Sequence, residues 1–223
     1  MRSILPHQCE LCGASSSNQL LCPKCDADLP HYLAPACPVC ALPTPSGEIC
    51  GVCLQRPPAF DRTLAAFSYL FPVDRLLHAF KYSGNLALVE TLAKPLAQVA
   101  AKHPKPDLLM PMPLHPARLK ERGFNQSLEI ARPISRWLNI PLSANAILRT
   151  RDTPTQAGLK LKERRRNVRG AFSCDLDLTG KHVAVVDDVM TTGATLNEVS
   201  RILKSCGASE VSAWLVARTP LQN

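Results

Sequence analysis

The chain is short of acids, of aromatics and of the glycine patterns that usually cradle nucleotides, and each shortage removes a class of explanation. Only 18 Asp and Glu stand against 26 Lys and Arg, a formal net charge of +8, so partners are expected among phosphorylated small molecules or nucleic acid. Aromatics make up 5%, which argues against a face built on extensive base stacking. Neither GxGxxG nor GxxxxGK followed by Ser or Thr occurs, so the Rossmann and P-loop explanations lose their main support. Residues 1–8 hold no apolar signal core and no run of about eighteen apolar residues occurs. The expectation is a cytoplasmic chain without a transmembrane segment. Heptads, low-complexity tracts and lipidation signals are also missing. What remains is an apolar fraction of 46% over 223 residues, enough for one ordinary domain plus an appendage.

The remaining residues are organised around Val183 to Thr195, V-A-V-V-D-D-V-M-T-T-G-A-T. A Val-rich run, two acids, a small polar turn and the periodic Leu196, Val199, Ile202, Leu203 and Cys206 predict a buried strand, a loop and a helix. The first N–H groups of a helix lack intrahelical partners and sit at the positive end of its dipole, so phosphate is favoured there. Thr191, Thr192 and Thr195 add hydroxyl donors, while Gly193 and Ala194 permit close backbone approach. Asp187 and Asp188, when ionised, accept only; beside a phosphate they call for donors, and a sugar diol supplies two. The combination predicts a ribose 5-phosphate site. A strand end capped by Asp187 and a helix capped by Thr192 would use the same residue types, but give no role to two successive acids.

Four CxxC pairs open the chain: Cys9/Cys12, Cys22/Cys25, Cys37/Cys40 and Cys50/Cys53. Each pair offers two thiolates from one tight turn, and two turns close a tetrahedral zinc site. Nine residues separate Cys12 from Cys22 and nine separate Cys40 from Cys50. That repeat favours two successive ribbons, one or two structural zinc ions in all; a cross-braced pairing, first pair with third and second with fourth, is the alternative the spacing leaves open. Disulfides are the competing use, but a cytosolic pool keeps thiols reduced. Structural zinc is worth on the order of 10–16 kcal/mol in small peptides, offsetting the hydrophobic core that residues 1–56 are expected to lack. His7 and His31 are alternative ligands or ordinary solvent-facing histidines.

Pro57-Pro58 reads as a linker. A strand is expected over Thr63 to Leu70 and a helix over Val73 to Phe80, where Lys81 serves as a cation at a helix C-terminus. Leu86 to Ala101 predicts a helix kinked or divided at Pro95. Leu108 to Met112 is the next strand. Pro111, Pro113 and Pro116 predict that His115, Arg118 and Lys120 follow on a rigid loop, with a helix opening at Arg122-Gly123 and running to about Leu138. Arg149 to Arg169 is strongly basic, a solvated face or a nucleic-acid contact. Val211 to Ala217 predicts a last buried strand, and Cys206 a core position. Ligand is expected beyond the C-terminal ends of the strands.

Val183 to Thr195 resembles the phosphoribosyl pyrophosphate (PRPP) motif of type I phosphoribosyltransferases. Phe80-Lys81-Tyr82, Pro111-Met112-Pro113-Leu114-His115, Arg122-Gly123-Phe124-Asn125-Gln126, Thr153-Pro154-Thr155-Gln156 and Arg164-Arg165-Arg166-Asn167-Val168 narrow the resemblance to the ComF/GntX family. It implies an α/β fold, a mostly parallel sheet flanked by helices (residues 57–223), behind a small double zinc ribbon (residues 1–56). It also implies that the run Val189, Met190, Thr191, Thr192, Gly193, Ala194 and Thr195 holds the 5-phosphate of PRPP. Asp187 and Asp188 then hold the diol and stabilise the developing ribosyl cation. Arg118 and Arg122 take the pyrophosphate with Mg²⁺, Lys81 is a ligand contact, and Gln156, Arg164 and Asn167 lie in a hood. The implied role is in competence, DNA uptake or use of DNA as nutrient, as a phosphoribosyltransferase or as a non-catalytic sensor or scaffold. The implied partners are single-stranded DNA and a DNA-translocating ATPase. Neither an acceptor nor a general base is assigned.

Overall fold

The computed structural model describes residues 7–16, 19–32, 35–151 and 168–220. Strands β1 (His7–Gln8) and β2 (Ser15–Ser16) pair antiparallel, and the one-turn helices α1 (Pro23–Ala27) and α2 (Gly51–Gln55) follow the second and fourth CxxC pairs' first cysteines. Thereafter the elements are β3 (Arg62–Ser68), α3 (Val73–Tyr82), α4 (Leu88–Ala100), β4 (Leu108–Pro111), α5 (Pro116–Arg122), α6 (Gln126–Leu138), β5 (Ile147–Arg149), β6 (Phe172–Cys174), β7 (His182–Met190), α7 (Ala194–Ser205) and β8 (Glu210–Arg218).

Strands β3, β8, β7 and β4 lie side by side in that order and all run parallel. A parallel sheet is covered on both faces, so its central strands read as continuous apolar runs; Val183 to Val186 and Val211 to Ala217 are accordingly buried throughout. Alternate residues separate into two cores. Ala184, Val186, Trp214 and Val216 pack with α3, α4 and α6, whereas Val183, Val185, Ala213 and Leu215 pack with Leu196, Val199 and Leu203 of α7. Beyond β4, the Leu109 N–H donates to the Pro141 carbonyl at 2.8 Å and the Ser143 N–H to the Leu109 carbonyl at 2.9 Å, a short fifth strand position. Strands β5 and β6 pair antiparallel on either side of positions 152–167. Among the described residues no helix is long and apolar enough to cross a membrane.

Residues 1–56 do not lack a core. Cys9, Leu21, Cys22 and Leu29 belong to the core on the α3, α4 and α6 face, and Cys37, Cys40, Leu42 and Cys53 to the core on the α7 face. The two ribbons thus straddle the sheet at its β3 edge. The segment between them runs antiparallel to that edge. Ser68 N–H donates to Pro30 O at 2.8 Å, Tyr32 N–H to Ala66 O at 2.9 Å, and Thr63 N–H to Pro38 O at 3.1 Å. His31 bridges to Phe67 and rests its ring on the Phe67 ring, centroids 5.0 Å apart.

Four local expectations need correction. Residues Pro116–Arg122 are helical, not a rigid loop: Pro116 occupies the first turn, where its missing N–H costs nothing, and the His115 ring nitrogen caps the turn by accepting from Ala117 N–H at 3.3 Å. Gly123, at φ 82°, ends α5, so the longer helix opens at Asn125 rather than at Arg122-Gly123; the Asn125 side chain accepts from the Ser127 and Leu128 N–H groups. Helix α4 continues through Pro95 undivided. Cys206 is half-buried at the C-terminus of α7, its thiol donating to the Cys174 carbonyl at 3.3 Å.

Candidate functional site

The eight N-terminal cysteines resolve into two groups, Cys9, Cys12, Cys22 and Cys25, and Cys37, Cys40, Cys50 and Cys53, with the sulfurs of each within 4.8 Å of one another. Pairing is therefore sequential, not cross-braced. Sulfur atoms bound at ~2.3 Å in a tetrahedron stand about 3.8 Å apart; Cys12 and Cys22 are at 3.8 Å and Cys40 and Cys50 at 3.6 Å. Burial alone would raise the Cys9 and Cys37 thiols, but neighbouring backbone N–H groups aimed at the sulfurs outweigh it, bringing them down to about 6 and about 7. Donor set and spacing fit structural zinc at both sites, with no coordination position left for water.

Beyond the C-terminus of β7, a recess of about 60 Å³ is lined by Asp187, Val189–Leu196 and Leu215. Gly193 precedes α7 at φ 72°, with no side-chain cap. A Cβ there would stand 3.4 Å from Met190 Sδ and 3.5 Å from Phe60 Cζ in a backbone region L side chains avoid. The turn therefore favours glycine. Ala194 N–H reaches Thr192 Oγ1 only at 3.4 Å. The first N–H groups of a helix have no intrahelical partner, and the residues that open α7 line this recess.

The paired acids differ from each other. Asp187 is half-buried and lines the recess; its Oδ1 accepts from Ser127 Oγ at 3.0 Å and from Asp188 N–H at 2.9 Å. Burial pushes its carboxyl up to about 6, against the opposing pull of Lys81, the Ser127 hydroxyl and Arg149. Asp188 is 4% exposed; Oδ1 accepts from Val189 N–H at 2.7 Å and Oδ2 lies 2.5 Å from Lys81 Nζ. Desolvation lowers Lys81 to about 8 despite the Asp187 charge, and Arg122 adds to the lowering. Arg122 also donates to Gln126 Oε1 at 2.5 Å and lies 5.5 Å from the centroid of the exposed Tyr82 ring.

Lys81, Arg122, Asp187 and Asp188 are thus gathered around one spot, next to the Thr191–Thr195 turn. Arg118 lies half-buried on α5. Gln156, Arg164 and Asn167 fall outside the described residues. Sequence reasoning missed Ser127, fully buried and bonded to Asp187. It missed Arg149 as an electrostatic neighbour of Asp187. It also missed Arg218, 5% exposed, which holds the Met190 and Thr191 carbonyls at 2.9 and 2.6 Å. Ser127 directly follows the Arg122 to Gln126 string and was within reach; Arg218, at the end of an apolar strand, carries no sequence signal of this role.

Two family models match the chain. Residues 1–54 match the double zinc ribbon domain and residues 125–221 the phosphoribosyl transferase domain. The chain is 35% identical to DNA utilization protein YhgH of Escherichia coli O157:H7, over 95% of this chain and 90% of that one. It is 33% identical to competence protein F of Haemophilus influenzae, over 94% and 90%. Among solved structures, a purine phosphoribosyltransferase from Pyrococcus horikoshii aligns at 24% identity over 70% of this chain and 78% of that chain, with a TM-score of 0.36.

Proposed function

The chain belongs to the ComF family of double-zinc-ribbon, phosphoribosyltransferase-domain proteins, and from that premise we propose that it binds PRPP at the recess beyond β7. The carrying observation is that Asp187 and the Thr191–Thr195 turn line the same recess. The 5-phosphate sits on the start of α7 and the ribose diol on Asp187 and Asp188. The pyrophosphate faces Lys81, Arg122 and, on the adjoining helix α5, Arg118, where guanidinium groups meet phosphate oxygens in pairs. A Mg²⁺ ion carried with the pyrophosphate would supply Lewis-acid neutralisation of the leaving group.

Two outcomes are open to a ligand so held. If a base nitrogen attacks the anomeric carbon as pyrophosphate leaves, the acids stabilise the ribosyl cation and the cations the departing anion, and the protein is a phosphoribosyltransferase. If nothing attacks, the pocket serves as a PRPP sensor or scaffold in DNA use; the names of the relatives and the net charge of +8 support that second role, with single-stranded DNA and a DNA-translocating ATPase as its partners.

Calorimetry with PRPP and Mg²⁺ is expected to show binding that weakens at least tenfold in the double variant Asp187→Asn, Asp188→Asn. Unchanged affinity in that variant overturns the site. Pyrophosphate release from PRPP, with and without free bases or single-stranded DNA, then separates enzyme from sensor.

A further inference from the structure

We propose that Arg218 is a positioning residue that couples the second four-cysteine site to the phosphate loop, so that metal held by Cys37, Cys40, Cys50 and Cys53 tightens the grip of residues 191–195 on a phosphate monoester. The phosphate half of this inference rests on the function proposed above. The mechanical half rests on the geometry alone.

Arg218 is the last residue of β8 and is 5% exposed. Its Nε donates to the Cys40 carbonyl at 2.9 Å. Its Nη1 donates to the carbonyls of Met190 at 2.9 Å, Thr191 at 2.6 Å and Thr219 at 2.9 Å. One planar group therefore ties the turn that carries a zinc-ligating sulfur to the two residues that lead into Thr192-Gly193. A guanidinium is a rigid fork with donors on separate edges, so a shift of the Cys40 turn is passed to the Met190-Thr191 carbonyls. A lysine, a single point of charge on a flexible stem, can hold one end or the other but not both.

Burying a cation against carbonyls alone is costly. The second ribbon supplies the reason it is tolerated here: a divalent ion with four thiolates carries a net double negative charge, and Cys40 is one of those ligands. Loss of the metal frees the Cys37–Cys40 turn and, once the freed thiolates take up protons, removes that counter-charge. The turn is braced from its other side by Tyr32, whose hydroxyl donates to the Ala41 carbonyl, with Ala41 in the left-handed region at φ 53°. The first ribbon packs into the core on the opposite face of the sheet from the loop's own core, so the same metal loss there has no such path.

The experiment uses the full zinc-loaded chain, its Arg218→Lys and Arg218→Met variants, and ribose 5-phosphate and PRPP as probes. Zinc release to a chromophoric chelator is followed with and without saturating ribose 5-phosphate. In the parent protein the ligand is expected to raise the affinity of one of the two zinc sites about tenfold, by reciprocity of coupled sites, and so to slow transfer of that ion to the chelator. In Arg218→Lys that dependence disappears while the other zinc is unaffected, and ribose 5-phosphate affinity falls about tenfold, or ~1.4 kcal/mol. Retention of ligand-slowed release in Arg218→Lys overturns the proposal. Melting temperature and first-site zinc content separate loss of coupling from loss of fold in Arg218→Met. If the parent binds neither probe, the PRPP assignment fails by itself. Amide hydrogen exchange then decides the coupling: Cys53→Ser must speed exchange at residues 190–195 when Arg218 is present, and must add nothing in Arg218→Lys. Unchanged exchange in the first case overturns it.

Discussion

The two zinc ribbons share one cysteine spacing and do different work. The first buries Leu21 and Leu29 in the core that holds Phe67, Phe80 and Trp214, across the sheet from the core beneath the Thr191–Thr195 turn; it completes a wall. The second lies on the α7 face and is bonded through Arg218 to the loop that opens α7. A repeat in sequence therefore need not be a repeat in role, because the role is set by which side of the sheet each copy covers.

The largest expected effect, and the sharpest way to break this contrast, is to remove one metal at a time. Cys9→Ser with Cys12→Ser, and Cys37→Ser with Cys40→Ser, are each expected to cost several kcal/mol in unfolding, on the scale of structural zinc at ~10 kcal/mol or more. Only the second pair should lower PRPP affinity in chain that remains folded. Equal loss of affinity from both would erase the distinction. Next in size, Phe67→Ala removes a fully buried ring at about 3–5 kcal/mol, read as a shift in the urea midpoint; ligand affinity should hold, since the damage falls on the first ribbon's face. Gly193→Ala sharpens the other side. The left-handed backbone and the 3.4 Å approach of Met190 Sδ predict a loss of ~1–2 kcal/mol in stability and a larger proportional loss of phosphate binding than any substitution in the first ribbon.

The smallest effect is a pH dependence. Because burial holds Asp187 up to about 6, its ionised form is disfavoured in the fold. Its titration therefore subtracts stability as pH rises from the ordinary carboxylate range, near 4, to about 6. Diol binding needs the ionised form, so affinity should fall about twofold from pH 7 to pH 6. The phosphate itself titrates in this range, so the measure is the part of the limb that Asp187→Asn abolishes. The same variant should be no less stable than its parent at pH 7, since an amide oxygen can still accept from Ser127 and the Asp188 N–H. A clear loss of stability there would show that the acid is held for folding rather than for ligand.

Much of the fold was legible because its signals are local. The Val-rich runs that became β7 and β8 and the turn chemistry before α7 are read directly from residue type, as is the CxxC spacing, whose repeat favoured sequential pairing but left cross-bracing open until the sulfurs were placed. Pro116 misled because a proline at the first helical position looks, in one dimension, like a proline that forbids a helix. Lys81 shows the opposite limit: its residue type suggested an ordinary C-terminal cation, and only the folded chain brings it 2.5 Å from Asp188. Arg218 was illegible for the same reason, and Ser127 carried no mark beyond its place after the Arg122 to Gln126 string. Their partners are 178 and 60 residues away in the chain, and nothing in a linear pattern encodes such a meeting.

The segment between the ribbons occupies the hydrogen-bonding groups of β3 that a sheet would otherwise present to its surroundings. Metal starvation would then do more than soften a small appendage. It would unmask an adhesive strand, so that a chelated sample should gather into oligomers, seen by sedimentation, before its central sheet melts, and metal supply would govern how long the protein stays dispersed.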